Sequence, residues 1–256
     1  MDLGLTGRVA AVAGSSSGLG LAVAKSLAAE GADVAICGRN ADKLARAEAE
    51  VAGCGPGKVI STALDLTDEV AAAAWVTYTA ETLGGLDILV TNSGGVPGGP
   101  VDDFAVADYR RAIDTSLLPH VSLTLAALPL LRERGWGRIL MVASEVIRQP
   151  NPDYGLSSVA RLGILGYMKG LVDALGDSGV TVNVLAPGYH RTKMLVDQFG
   201  SDADVELAKV AEDIPLGRIG DPADFGDLAA FYASKQARFI TGAVIMADGG
   251  NTRGVG

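Results

Sequence analysis

From Arg8 to Met246, short apolar runs alternate with longer alanine-rich stretches of helical periodicity, and this alternation restricts the fold more than any other feature of the sequence. The runs Arg8 to Ala13, Asp33 to Cys37, Val59 to Ala63, Ile88 to Thr91, Arg138 to Ala143, Thr181 to Leu185 and Ala243 to Met246 read as strands. Helical patterns cover Gly18 to Glu30, Ala41 to Ala52, Asp68 to Leu83, Ala107 to Arg134, about Pro152 to Gly176, and Pro222 to Ser234. Unbroken Val, Ile and Leu runs need cover on both faces, and strands joined by helical crossovers pair in parallel. The expectation is an α/β fold with a doubly wound parallel sheet and helices on both sides. With 256 residues, 48% of them hydrophobic, and no break in composition, the chain reads as a single domain over 1–256.

Ligands of such sheets bind beyond the carboxyl ends of the strands, so the strand ends carry the functional signal. The first strand runs into Ala13-Gly14-Ser15-Ser16-Ser17-Gly18-Leu19-Gly20 and then a helix. Glycines allow a sharp bend and close approach of the backbone, and the free N–H groups that open the helix point at an anion. Gly14, Ser16, Ser17, Gly18, Leu19 and Gly20 are therefore candidate contacts to a dinucleotide, against the plainer reading of a tight turn. The net charge of −9 disfavours nucleic acid and anionic membrane as main partners. No basic leader opens the sequence and no apolar run reads as approaching the length needed to span a bilayer, so a soluble, cytoplasmic protein is expected. The two cysteines, Cys37 and Cys54, have neither metal-ligand spacing nor a disulfide framework around them. Arg132, Arg134 and Arg138 gather basic charge locally, either as solvated helix ends or as a docking point for an acidic partner.

The second strand ends Cys37-Gly38-Arg39-Asn40, without the acidic residue that grips a ribose 2′-hydroxyl. A guanidinium at Arg39 suits a 2′-phosphate, which favours NADP(H) over NAD(H); a solvated arginine is the alternative. After the third strand, Asp65 and Leu66 are placed to meet the adenine, while Asp68 caps the next helix. The fourth strand enters Thr91-Asn92-Ser93-Gly94-Gly95, small residues that let the chain pass close to a cofactor while Asn92 ties strands together.

These features, with Gly137-Arg138-Ile139, Pro187-Gly188, Ile240-Thr241-Gly242 and Asp248-Gly249-Gly250, resemble the short-chain dehydrogenase/reductase family in order and spacing over nearly the whole chain. The resemblance implies a Rossmann-type sheet of seven strands and a nicotinamide cofactor. It also implies hydride transfer to or from a small-molecule carbonyl or alcohol, and a homotetramer or homodimer packed through the two long helices. It places Asn92, Ser93, Gly94, Pro187, Gly188 and Thr192 at the cofactor, Thr192 toward the nicotinamide carboxamide. Ala13 and Thr91 stand where family members usually carry threonine and asparagine.

The resemblance also implies a catalytic Ser, Tyr and Lys, with an Asn from the preceding long helix. Ser144 ends the fifth strand in the serine position, where its hydroxyl can bond a carbonyl. Aligning the helix by Leu162 to Lys169 puts Ser157 in the tyrosine position, Arg161 in the lysine position and Ser116 in the asparagine position. Ser157 and Arg161 are i and i+4 on one helix face, so they can meet. A serine hydroxyl is too weak an acid to replace a phenol, and an arginine holds a ribose hydroxyl but does not shed a proton. Asn151-Pro152-Asp153 reads as a helix start that would carry Tyr154 one turn ahead of Ser157. Two readings of Tyr154 stand: proton donor beside Ser144 and Arg161, or lining of the substrate mouth or a subunit contact.

The segment from about 189 to 215 reads as a variable lid, its Leu195, Val196 and Phe199 suiting a hydrophobic or mixed substrate. His190 is either a titrating or a solvated loop histidine, and His120 reads as packing or interface. The leading functional expectation is an NADP(H)-dependent ketoreductase-like enzyme with a non-standard catalytic set. Its rivals are a non-redox lyase or isomerase and a catalytically silent binder.

Overall fold

In the computed structural model, which describes residues 1–254, β1 (Val9–Val12) pairs on one side with β2 (Asp33–Gly38) and on the other with β4 (Ile88–Thr91). The sheet has seven parallel strands in the order β3-β2-β1-β4-β5-β6-β7, with β3 Val59–Ala63, β5 Gly137–Val142, β6 Val180–Pro187 and β7 Val244–Ala247. The winding direction reverses between β1 and β4, which opens a crevice at their carboxyl ends.

The continuous apolar strands are covered on both faces, as expected. Along β5, Ile139 and Met141 face one core while Leu140 and Val142 face the other, the two-residue period of a pleated strand. The first core is closed by α3 (Glu69–Leu83), α5 (Leu118–Glu133) and α6 (Gly155–Leu175), through Trp75, Leu123, Leu131, Ile164 and Met168. The second is closed by α1 (Gly18–Ala29), α2 (Ala41–Ala52) and α9 (Pro222–Ala233), through Val23, Leu27, Leu44 and Phe225. Helix starts follow local capping chemistry: Asn40, Asp68 and Asp221 each accept a backbone N–H from the first turn of α2, α3 and α9.

The expected single helix from Ala107 to Arg134 is two, α4 (Val106–Ser116) and α5, separated at Leu117. Pro119 has no N–H to give the carbonyl of Thr115, so the ladder breaks and α5 restarts with proline in its first turn. Contrary to the sequence expectation, the stretch Val106–Glu133 is long and apolar enough by length and composition to cross a membrane. Here its apolar residues serve the core, with Leu123, Ala127 and Leu131 sealed against the sheet.

The expected start of α6 near Pro152 is also displaced. Asn151 Oδ1 accepts the N–H of Asp153 at 2.9 Å in a local turn, and Tyr154 occupies the cap position in front of Gly155. The basic residues near β5 are each engaged within the fold. Arg132 donates to Ala174 O at 2.7 Å, Arg134 pairs with Asp87 at 2.9 Å, and the buried Arg138 donates to Ser234 O with its guanidinium over the Trp136 ring.

Candidate active site

The loop Ala13 to Gly20 leaves β1 at the crevice and enters α1, whose cap residue, Ser17, makes no side-chain bond to the first turn. Its opening N–H groups are thus left for a ligand. Two glycines are required by close approach. A β-carbon at Gly20 would collide with the carbonyl of Gly14, and one at Gly14 would stand 2.9 Å from the amide nitrogen Nδ2 of Asn92. Asn92 Nδ2 donates to Gly14 O at 3.1 Å and so ties β4 to the loop, as expected. Ser16 sits against Gly38, 2.8 Å from where a β-carbon would lie, so the loop and the end of β2 are in contact. Gly18 faces the methyl of Thr192, whose hydroxyl caps α7 (Lys193–Phe199) by accepting the N–H of Leu195 at 3.3 Å. Leu19 is half-buried under the same loop, and Leu66 is half-buried after β3.

Arg39 is exposed at the end of β2, and its charge reaches Asp65. Asp65 Oδ1 is occupied by the N–H and hydroxyl of Thr67, at 3.0 and 2.9 Å, which hold its carboxyl below the ordinary range. Only its other oxygen is free for an adenine. These residues fit a dinucleotide: an uncapped helix end, a glycine-bounded approach and an exposed guanidinium at the ribose end, with no carboxylate at the end of β2 itself.

At the end of β5 the structure brings Ser157 and Arg161 to the carbonyls of Val142 and Ala143, directly before Ser144. Ser144 Oγ, at the end of β5, accepts the N–H of Val146 at 3.5 Å, a long bond that leaves its proton free. Arg161 is buried and donates from Nε to Ser157 Oγ at 3.2 Å and from Nη1 to Ala143 O at 3.1 Å and Val142 O at 3.5 Å. Burial lowers its pKa to about 10, which still leaves it charged. Ser116, the last residue of α4, donates to Gly94 O at 3.1 Å.

Tyr154 does not ride on α6 but stands at its cap position. Its backbone bridges Gly99, its ring is 3.8 Å from where a Gly98 β-carbon would stand, and its hydroxyl accepts from Gln198 Nε2 at 3.4 Å. Next to it is Tyr189, whose phenol is pushed far above its ordinary pKa by burial, then by Tyr154 and Glu145. Glu145, one residue after Ser144, accepts from Asn251 Nδ2 at 3.1 Å; burial raises its carboxyl, and Asp248 adds to this. Gly188 follows Pro187 because a β-carbon there would lie 2.7 Å from Glu145 Oε2. The segment from 189 to 215 folds as α7, a short 3₁₀ turn and α8 (Ala203–Asp213) beside these tyrosines.

The sequence did not single out Glu145, Tyr189, Gln198 or Asn251; for Glu145 the available signal was its place directly after Ser144 at a strand end. Of the two histidines, His120 packs inside the fold as expected, while His190 sits differently from the reading of the sequence. His190 is not solvated: it is buried edge-on against Phe225 and its Nδ1 lies 3.2 Å from Gly188 O, burial lowering its pKa. His120 is fully buried between the hydroxyls of Thr91 and Ser93.

The sheet order and the loop at its switch point define a Rossmann-type dinucleotide-binding protein. A family model described as enoyl-(acyl carrier protein) reductase matches residues 13–252. Over 96% of its length the chain is 34% identical to a 2-dehydro-3-deoxy-L-rhamnonate dehydrogenase (NAD(+)) of Sphingomonas sp. (strain SKA58), with 96% of that protein covered. It is likewise 34% identical to a D-beta-hydroxybutyrate dehydrogenase of Cupriavidus necator, over 96% of this chain and 98% of the relative. Among solved structures, L-sorbose reductase from Gluconobacter frateurii, complexed with NADPH and L-sorbose, superposes with a TM-score of 0.95 at 27% identity, all of both chains being covered. The protein belongs to the short-chain dehydrogenase/reductase family.

Proposed function

We propose that the protein is an oxidoreductase that interconverts a small-molecule carbonyl and its alcohol, with NADP(H) preferred over NAD(H). The relatives support the reaction class by their names, which are those of dehydrogenases and a reductase. Their cofactors differ, NAD(+) in one name and NADPH in another, so the preference rests on this chain's exposed Arg39 after Gly38. The dinucleotide would lie along Gly14, Ser16 to Gly20, Arg39, Asp65, Leu66, Asn92 to Gly94, Arg161, Pro187, Gly188 and Thr192. When bound, it supplies or takes up the hydride.

The chain's own residues handle the carbonyl and the proton. Ser144 hydrogen-bonds the carbonyl oxygen through its hydroxyl, keeping its own proton, and fixes that oxygen at the end of β5. Arg161, clasped by Ser157 and by the carbonyl of Ala143, supplies a fixed positive field beside that oxygen and stabilises the negative charge it acquires. Tyr154 gives the proton. The observation that carries this assignment is that Tyr154 stands beside Tyr189, which in turn neighbours Glu145, the residue after Ser144, while neither Ser157 nor Arg161 can act as the acid. Ser116 holds the turn after β4 through Gly94. The segment 189–215 acts as a lid that excludes water, and Leu125, Val159 and Leu162, exposed on α5 and α6, support self-association through those helices.

Steady-state oxidation of NADPH across a panel of ketones and aldehydes tests the reaction class. Tyr154→Phe is expected to lower kcat by about 100-fold, the ordinary contribution of a positioned acid. Undiminished turnover in that variant removes Tyr154 from the mechanism. Binding of NADPH with no turnover of any carbonyl or alcohol favours the non-redox reading, for which the missing phenol at Ser157 is the supporting observation.

A further inference from the structure

Beneath the turn that follows β4, Thr91, Ser93 and His120 form one hydrogen-bonded group that the reaction proposed above leaves unused. His120, on α5, holds Nδ1 2.7 Å from Thr91 Oγ1 and Nε2 3.3 Å from Ser93 Oγ. Thr91 ends β4 and is fully buried, as is the imidazole, whereas Ser93 is half-buried where the chain leaves the sheet. Burial and the charge of Arg161 keep the ring neutral, so it carries a single N–H.

Which nitrogen holds that proton follows from what each hydroxyl can reach. Among the described residues Thr91 Oγ1 has no polar partner other than His120 Nδ1. Were Nδ1 to donate, the sealed Thr91 hydroxyl would keep a proton with no acceptor, which a buried donor rarely tolerates. Thr91 therefore donates to Nδ1, and the ring proton sits on Nε2. Nε2 in turn donates to Ser93 Oγ, which turns the hydroxyl proton of Ser93 away from the ring. Ser93 Oγ makes no other bond among the described residues, so that proton is offered to the crevice.

The neighbours of Ser93 fix what the proton meets. Asn92 Nδ2, one residue earlier, donates to Gly14 O at 3.1 Å, in the cradle for the pyrophosphate. On the other side β4 pairs with β5, Thr91 level with Met141, and β5 leads on to Ser144. Ser93 thus stands between the cradle and the strand end where the carbonyl is reduced. The part of a nicotinamide dinucleotide that spans this interval is the nicotinamide-side ribose, whose oxygens accept hydrogen bonds.

We propose that Ser93 donates its hydroxyl proton to an oxygen of the nicotinamide-side ribose, and that His120 is the positioning residue that aims it. The donors run outward from the core, Thr91 to His120 and His120 to Ser93; each group keeps its own proton and only its orientation is set. This rests on the dinucleotide site proposed above and adds to it a contact and the residue that prepares it.

The chain has only two histidines, His120 and His190, so nitrogen-15 labelling of histidine gives two imidazoles, told apart by the spectrum of His120→Gln. Correlation of the ring nitrogens with the carbon-bound ring protons in the wild-type protein is expected to show Nε2 of His120 protonated and Nδ1 bare, with and without NADPH. A proton on Nδ1, or on both nitrogens, overturns the proposal and needs no variant to fold. In fluorescence titrations Ser93→Ala is expected to raise Kd for NADPH about 2- to 12-fold, the span of one neutral hydrogen bond. His120→Leu, which leaves the Ser93 hydroxyl free to rotate, is expected to raise Kd by no more than that, and the double variant to match Ser93→Ala. His120→Gln, whose amide N–H can stand in for Nε2–H, is expected to bind NADPH as the wild type does; circular dichroism checks that each variant folds. An unchanged Kd in Ser93→Ala or additive effects in the double variant overturn the contact. A loss in His120→Gln equal to that in His120→Leu assigns the histidine to packing and overturns its positioning role. If the wild-type protein binds neither NADPH nor NADH, the dinucleotide reading itself fails and the contact falls with it, whereas cofactor bound with the ring proton on Nδ1 overturns the contact alone.

Discussion

His120 Nδ1 lies 2.7 Å from the hydroxyl of Thr91, and on its other side Nε2 lies 3.3 Å from Ser93 Oγ. The imidazole is fully buried, and burial, with the nearby charge of Arg161 adding to it, lowers its pKa from 6.5 to about 3. The folded state thus resists a proton that the unfolded chain accepts below about pH 6.5. The sign follows: the stability held by neutral His120 is complete above pH 6.5 and is lost progressively as pH falls toward 3. At pH 5 the loss is about 2 kcal/mol, from 1.36 kcal/mol per pH interval below the unfolded value. Urea denaturation at pH 7.5 and pH 5 measures it, and His120→Asn is expected to flatten the difference. A wild-type chain as stable at pH 5 as at pH 7.5 contradicts a neutral buried imidazole.

Arg39 stands alone at the end of β2, exposed and with only the half-occupied Asp65 nearby. Arg39→Asp removes the guanidinium offered to a 2′-phosphate and places a carboxylate where a ribose 2′-hydroxyl would be gripped. Charge-assisted hydrogen bonds of this type contribute about 1.5–3 kcal/mol, so Kd for NADPH is expected to rise about 10- to 150-fold while NADH binds no worse. Parallel fluorescence titrations with the two cofactors check it. Equal weakening of both would assign Arg39 to the fold.

Asp87 fastens the opposite end of the sheet. Its side chain is fully buried, accepts the N–H of Val9 at 2.9 Å, and pairs with Arg8 at 3.0 Å and Arg134 at 2.9 Å. Both arginines are about a third exposed, so water screens the ion pairs and the sealed N–H of Val9 weighs as much as the charges. Asp87→Ala leaves that donor orphaned and is expected to cost about 2–4 kcal/mol, read as a lower urea midpoint at unchanged slope. Since Asp87 lies far along β4 from Asn92, cofactor affinity of the folded variant is expected to stay unchanged.

The sheet was legible in the sequence because each strand is an unbroken apolar run, which only a doubly covered parallel sheet accommodates. The cradle was legible because Gly14 and Gly20 sit between such a run and a helix. The break at Leu117 was not, since an apolar period continues through Pro119 and only the missing N–H interrupts it. Nor was the tyrosine pair. Tyr154 and Tyr189 are separated by a helix and a strand, and the weakly periodic lid that brings Gln198 to them carries no positional signal. The role of His120 was hidden for the same reason: Thr91, Ser93 and His120 become one hydrogen-bonded group only when α5 packs on β4.

Ser157 and Arg161 are joined at 3.2 Å in the two positions where the family resemblance places a tyrosine and a lysine. In that register the double substitution Ser157→Tyr and Arg161→Lys installs a phenol beside an ammonium, which lowers the phenol's pKa toward the working pH and provides an acid that the wild-type pair lacks. Reduction of a neutral ketone by NADPH is then expected to rise at least about tenfold in the double variant. Each single variant is expected to fall below the wild type, Ser157→Tyr because the ring meets a guanidinium that cannot exchange its proton, Arg161→Lys because the carbonyls of Val142 and Ala143 lose a planar donor. The interaction between the two changes is therefore strongly non-additive and measurable by a double-mutant cycle on kcat. Additive effects would show that the two positions do not share one proton-transfer site.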